Sequence, residues 1–193
     1  MSTDLFRGGL VRLCAPRADD ADVLARWSED GAYRRQADTD APRPRTADHF
    51  REQDELSGSD PDTFEFRIRT LDDDRLVGFV AVCRIEWANH HGWVAVGLGE
   101  VADRRRGYGL EAVSMVLRYA FHELGLHRLS LDVIASNQPA ISLYRKLGFR
   151  EEGRLRERVL RDGQALDLIY MGLLRRDWES AQSASAPSPP KGG

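Results

Sequence analysis

Lysine is almost missing from this 193-residue chain: Lys146 and Lys191 are the only two, and arginine supplies the rest of the 28 basic residues. Cysteine is equally scarce. Cys14 and Cys83 both sit in apolar, strand-like segments, outside any metal-spaced cluster and with no histidine partner nearby in sequence. That excludes a disulfide framework, argues against a metal site or a covalent thiol mechanism, and predicts buried free thiols in a reducing cytoplasm. No apolar run is long enough to cross a bilayer, and the N-terminal MSTDLFRGGL lacks an apolar targeting core. A soluble cytoplasmic protein with no membrane partner is therefore expected. The net charge of −3 provides no overall basic field, so nucleic acid is not an expected partner. No Gly-Lys-Ser/Thr follows the glycine-rich stretch at residues 107–109, which excludes a P-loop. No internal repeat is visible.

What is present suffices for one domain. Hydrophobic residues make up 41% of the chain and charged residues 31%. The charge is segregated. Residues 36–74 hold twelve acids against five bases, a net of −7, and residues 104–158 hold eleven bases against six acids, a net of +5. Two ligands of opposite sign would suit such a division, and soluble acidic loops would also produce it.

Periodicity gives the elements. Residues 10–15 (LVRLCA) alternate as a strand. Residues 18–29 read as a helix with Asp19 or Asp20 as N-cap, and Pro42 and Pro44 make 38–45 a loop. Residues 46–56 form a polar helix anchored by Phe50. Strands at 64–71, 76–87 and 93–100 make an antiparallel meander. His90 and His91 fall in one of its turns, flanked by Trp87 and Trp93, which read as cross-strand packing. Residues 108–124 are the clearest helix, with Leu110, Val113, Leu117, Ala120 and Leu124 in one stripe, widened by Val116 and Phe121, and Gly125 as the stop. A strand at 128–134 follows, with Ser130 and Asp132 opposite its apolar face. Asn137 caps a short helix that ends at Gly148. Two last strands hinge at Asp162-Gly163. After Trp178 the residues SAQSASAPSPPKGG cannot build a core, so a domain over 1–178 with a disordered tail over 179–193 is expected. The order β-α-α-β-β-β-α-β-α-β-β predicts one α/β domain with a mixed sheet of about seven strands flanked by helices.

The stretch RRRGYGLEA (104–112) places three arginines and two glycines at a helix start, where backbone N–H groups and the helix dipole would attract phosphate. GYGLEA also fits the dinucleotide fingerprint, with Asp132 near the position of its ribose acid. That reading, an NAD(P)-dependent oxidoreductase, is weakened by residues 102–106 intervening between strand and glycine, and by the hundred residues that precede the motif. The paired signatures carry more. Arg104-Arg105-Arg106-Gly107-Tyr108-Gly109 and LSLDVIASNQPAISLYRKLGFREEG together resemble the GNAT superfamily of acetyl-CoA-dependent N-acetyltransferases, over about residues 10–178. GYGLEA and the closing Asp-x-x-Tyr-x-x-Leu-Leu-x-x-x-Trp are similar to its ribosomal-protein and spermidine acetyltransferase branch.

The resemblance implies a GNAT-like fold, acetyl-CoA as co-substrate, no metal, and a primary amine as acceptor: a protein N-terminus, a polyamine, or a small basic metabolite or antibiotic. The acidic segment would suit a cationic acceptor. Homodimers are common in the family. By the same resemblance Gly99, Val101, Arg104, Arg105, Arg106, Gly107, Tyr108, Gly109, Leu110, Asn137, Ala140 and Tyr144 would bind the cofactor. Tyr144 would protonate or hydrogen-bond the departing sulfur. Asp132, or else Glu100, would be the base. A backbone N–H on the strand ending near Gly99 would bind the oxyanion. Asp167, in the closing hairpin, reads as structural. A non-catalytic acyl-CoA-binding module on the same fold is the alternative from another class.

Overall fold

The computed structural model describes residues 4–185. Seven strands form one sheet: β1 (Val11–Cys14), β2 (Phe64–Thr70), β3 (Leu76–Glu86), β4 (His91–Leu98), β5 (Arg128–Ile134), β6 (Arg150–Arg161) and β7 (Gln164–Leu174). Their order across the sheet is β1-β2-β3-β4-β5-β7-β6. Every neighbouring pair is antiparallel except β4 and β5. A dinucleotide fold needs a parallel sheet around its glycine loop, so the antiparallel meander from β1 to β4 removes that reading of GYGLEA.

The parallel pair positions the site. β4 and β5 meet only at His91↔Arg128, Gly92↔Leu129 and Trp93↔Ser130. β4 then runs on through 94–98 with β3 as its sole partner among the described residues, while β5 continues along β7 to Ile134. The two strands part, and a wedge opens in the middle of the sheet.

Among the described residues six α-helices accompany the strands: α1 (Asp20–Ser28), α2 (Gly31–Ala37), α3 (Ala47–Ser59), α4 (Tyr108–Arg118), α5 (Gln138–Lys146) and α6 (Arg175–Ser185). α4 buries Ala112, Val113, Val116 and Leu117 completely against the main core. Leu110, expected in the same stripe, is instead 37% exposed at the helix start. The helix does not run straight to Leu124. It changes to a π-turn at Tyr119–Glu123, where Leu124 N–H bonds to the Tyr119 carbonyl. Gly125 ends it with φ +67°.

Two helices depart from the sequence reading. α2 has no counterpart there; it is capped by Asp30, whose carboxylate accepts from the N–H groups of Ala32 and Tyr33. α6 carries residues 179–185, expected to be disordered, as helix; it is tied down by Trp178 against Phe121, with ring centroids 5.3 Å apart. The rest of that expected tail lies outside the described residues. The tryptophans flanking the β3–β4 turn pack across strands as expected: Trp87 lies edge-on to Phe64 of β2 and donates to Asp62 at 2.7 Å, and Trp93 packs against Tyr170 of β7. Cys14 and Cys83 are free thiols, half-buried rather than buried.

Candidate active site

The arginine–glycine loop lies between β4 and α4. It begins with a 3₁₀ turn, Val101–Asp103, whose buried Asp103 carboxylate takes two bonds from the Arg75 guanidinium, at 2.7 and 2.8 Å. Arg105 then adopts φ +62°, and Gly107, the N-cap of α4, adopts φ +92°. The first hydrogen bond of α4 runs from Glu111 N–H to the Gly107 carbonyl. Ahead of it, the N–H groups of Arg105, Arg106, Gly107, Tyr108, Gly109 and Leu110 meet no acceptor among the described residues. Six adjacent donors at the positive end of a helix dipole make an anion cradle.

Three arginine side chains surround this loop. Arg105 and Arg106 are exposed; Arg106 lies 5.2 Å over the Tyr108 ring and 3.9 Å from Asp103. Arg104 is half-buried, 6.0 Å from the ring centroid of Tyr33 in α2. Val101 is exposed. Tyr108 and Gly109 are buried, and Gly109 lies between Leu98 of β4 and Leu143 of α5.

The exposed edge of β4 forms one wall of the wedge. Its pairs with β3 run from Gly78↔Leu98 to Cys83↔Trp93, and Gly99 N–H continues the ladder by bonding the Val77 carbonyl at 3.1 Å. Ladder hydrogen bonds alternate along an antiparallel pair. Residues 99 and 97 therefore face β3, while the N–H groups of Leu98 and Val96 face the wedge that β5 has left. The Gly99 N–H itself is taken. Gly99 instead makes room for α1, since a Cβ there would stand 2.0 Å from the Trp27 ring. Glu100 is also turned to α1, where its carboxylate accepts from the Trp27 indole at 2.8 Å and lines a cavity of about 230 Å³ with Asp19, Arg26 and Arg75.

Across the wedge, Asn137 caps α5. Its side-chain oxygen accepts from Ala140 N–H at 3.3 Å, and its amide nitrogen donates to the Gln36 carbonyl of α2, also at 3.3 Å. Further along the helix, Tyr144 is 6% exposed, edge-on to Phe149. Its hydroxyl makes no hydrogen bond among the described residues. Burial, with the Asp132 charge adding, pushes its pKa up to about 12. The structure thus brings Tyr144 and Asp132 within electrostatic reach of each other.

Asp132 stands on β5 opposite Tyr170 of β7. Burial raises its pKa; Asp38 adds to the rise, and Arg84 and Arg158 oppose it. The nearest guanidinium nitrogen of Arg84 is 3.9 Å away. Asp167 is held elsewhere, by Arg154 and the Glu157 N–H. Among the described residues no group of three or more His, Cys, Asp or Glu side chains is placed to hold a metal. His91 bonds Ser130 at 3.0 Å instead.

Several supporting residues escape sequence reasoning. Glu111 of α4 accepts from the N–H groups of Gly9, Leu10 and Val11, at 2.7–2.8 Å, and so ties the start of β1 to the anion cradle. Arg161, at the tip of the β6–β7 hairpin, donates to the carbonyls of Arg35, Asp38 and Asp40 and clasps the end of α2. Arg35 and Asp162 pair beside it. These contacts span about a hundred residues or more, and no local motif marks them.

Residues 11–150 match the acetyltransferase (GNAT) domain family. The SPbeta prophage-derived uncharacterized N-acetyltransferase YokL of Bacillus subtilis (strain 168) is 32% identical over 138 residues, 70% of this chain and 75% of YokL. The probable N-acetyltransferase YjcK of the same organism is 35% identical over 117 residues, 60% of this chain and 64% of YjcK. The crystal structure of spermidine N-acetyltransferase from Vibrio cholerae, in complex with CoA and spermine, superposes with a TM-score of 0.80 at 21% identity, covering 89% of this chain and 99% of that one. That likeness is one of fold. With the family's domain matched from the first residue of β1 to the first of β6, the chain belongs to the GNAT acetyltransferase family.

Proposed function

We propose that the chain transfers an acetyl group from acetyl-CoA to a primary amine by direct attack. The row of six unpaired N–H groups from Arg105 to Leu110 carries this reading. A pyrophosphate would satisfy those donors together, and Gly107 and Gly109 would let it approach the backbone. The pantetheine arm would then lie in the wedge between β4 and β5. The amine nitrogen attacks the acetyl carbon, so a C–N bond forms as the C–S bond breaks. The N–H groups of Val96 and Leu98 stabilise the oxyanion. Asp132 takes the proton from the amine. Tyr144, held protonated at neutral pH by burial, gives its proton to the departing thiolate and recovers one from solvent. Glu100, engaged by Trp27, is not given the base role. The proposed setting is the cytoplasm, where acetyl-CoA is at hand; among the described residues no helix is long and apolar enough to cross a membrane.

Two measurements test the reading. Acetyl-CoA at a hundred times its dissociation constant should stabilise the fold by about 2.7 kcal/mol, and NADPH should not. CoA thiol should also appear when amines are added. Binding without thiol release would identify a non-catalytic acyl-CoA module.

A further inference from the structure

Part of the negative charge of segment 36–74 is already paired within the fold. Asp54 and Glu65 bind the buried Arg67, Asp48 binds Arg51, and Asp74 binds both Arg12 and Arg17. Two guanidinium groups and Asp38, which itself lies 3.9 Å from Arg34, act on Asp132.

Each of those two arginines is delivered by a local irregularity in the sheet. In β3 the register with β4 shifts between Cys83 and Glu86, and Arg84 sits in the shift with φ +50°. A non-glycine residue held in that region costs free energy and needs a reason. Here the result is a guanidinium stacked 4.2 Å from the Trp93 ring centroid, 65% exposed, beside the Asp132 carboxylate. In β6 the register with β7 shifts between Leu155 and Val159, and Glu157 takes φ +53°. Asp167 holds that bulge by accepting from Glu157 N–H at 3.0 Å. The bulge presents Arg156 and Arg158, which form no ion pair or hydrogen bond among the described residues, along a groove of about 570 Å³. The β3 bulge thus sets the Arg84 guanidinium beside the Asp132 carboxylate, and Arg158 of the β6 bulge adds a weaker pull on the same group. A polycation entering there would meet like charge, which an interface disfavours.

We propose that the acceptor is a primary amine carrying a carboxylate a few bonds away, its ammonium received at Asp132 and its carboxylate by Arg84, with Arg158 adding positive charge from the β6 bulge. An arginine fork is the side chain best matched to a carboxylate. The shared chemistry has two sources, a free amino acid and a peptide whose N-terminal residue is acidic. This inference rests on the transferase reading above.

The test is steady-state CoA release by the full chain with acetyl-CoA and three acceptors: glutamate, a short peptide beginning with Asp-Glu, and spermidine. One of the two carboxylate acceptors should exceed spermidine in kcat/KM by about tenfold or more, and which one does so identifies the source. Arg84→Asn combined with Arg158→Gln should lower kcat/KM for that acceptor by about tenfold, mainly through KM, while acetyl-CoA still protects the variant from heat. Asparagine tolerates the left-handed backbone at 84, so the change reads charge and not folding. Preference for spermidine, or an unchanged kcat/KM in the double variant, overturns the acceptor assignment and leaves the transferase reading standing. Acetyl transfer to none of the three amines, by a chain that binds acetyl-CoA, overturns both.

Discussion

Two side chains carry the proposed chemistry, and burial raises the pKa of both. Tyr144 is buried on the α5 side of the wedge with its ring against Phe149 and its hydroxyl unpaired among the described residues, so its proton is retained but free to move. Tyr144→Phe keeps the ring packed and removes only that proton. The single-turnover rate should fall about 10²- to 10⁴-fold with acetyl-CoA affinity nearly unchanged. A rate equal to the parent's would make Tyr144 a packing residue. Asp132 is shifted in the same direction. Burial lifts it above the ordinary carboxylate range, which makes it a better proton acceptor once ionised. In the parent, the pH–rate profile should show an acidic limb above pH 3.8, and Asp132→Asn should remove that limb. Both residues are legible as candidates because each lies in a short signature with a regular element on either side. The oxyanion donors are less so, since which N–H faces the wedge depends on ladder parity, and parity is set by pairing with β3. Glu100 is ambiguous in sequence for a related reason: its partner, Trp27, lies 73 residues away.

The N-terminus of α4 is the element on which the cradle depends. Gly107 is required by its backbone, at φ +92°, and a Cβ there would also stand 3.0 Å from Leu10. Gly107→Ala should therefore strain the turn by about 1 kcal/mol or more and move the donors that follow it. Isothermal titration should show acetyl-CoA binding weakened by roughly tenfold or more, with the far-ultraviolet circular dichroism kept. Unchanged affinity would mean that the N–H row is not the phosphate site. Gly109 differs: a Cβ there would make ordinary contacts at 3.6 Å with Leu98 and Leu143, so Ala at 109 should leave the backbone unstrained and report only on the room the phosphate needs. The glycines look alike in the motif, and only the backbone separates them. The same limit applies to other elements. The apolar stripe of α4 is readable, whereas its π-turn ending, where Phe121 packs on Trp178, is not. α2 carries too few apolar residues for a periodic signal and is held by its Asp30 cap and by Arg161 from the far hairpin.

At the scale of the molecule, the sequence shows that charge is segregated but not how it is used. Several acids of the first half neutralise nearby arginines, and Arg84 and Arg158 act on Asp132. This division predicts how stability responds to acid. Asp74 is held low by bonds from Arg12 and Arg17, Asp73 by the Thr70 hydroxyl, Asp60 by the Asp62 N–H, Asp167 by the Glu157 N–H, and Glu179 by Arg175. Each has a folded pKa below its unfolded value, so its contribution is complete above the unfolded value, at about pH 4, and is lost as pH falls through the folded one. Asp132 has the reverse sign. Its folded pKa lies above the unfolded one, so the ionised form costs stability at neutral pH, and that cost vanishes below the unfolded pKa. Asp132→Asn should then raise the Tm at pH 7 while lowering activity, and the gain should shrink to nothing near about pH 4 and below. Scanning calorimetry of parent and variant across that range measures it. An equal Tm difference at both pH values would remove the charge from the explanation. A lower Tm at pH 7 would make Asp132 a stabilising partner of Arg84, where the geometry of the site calls for a carboxylate kept at a cost for its chemistry.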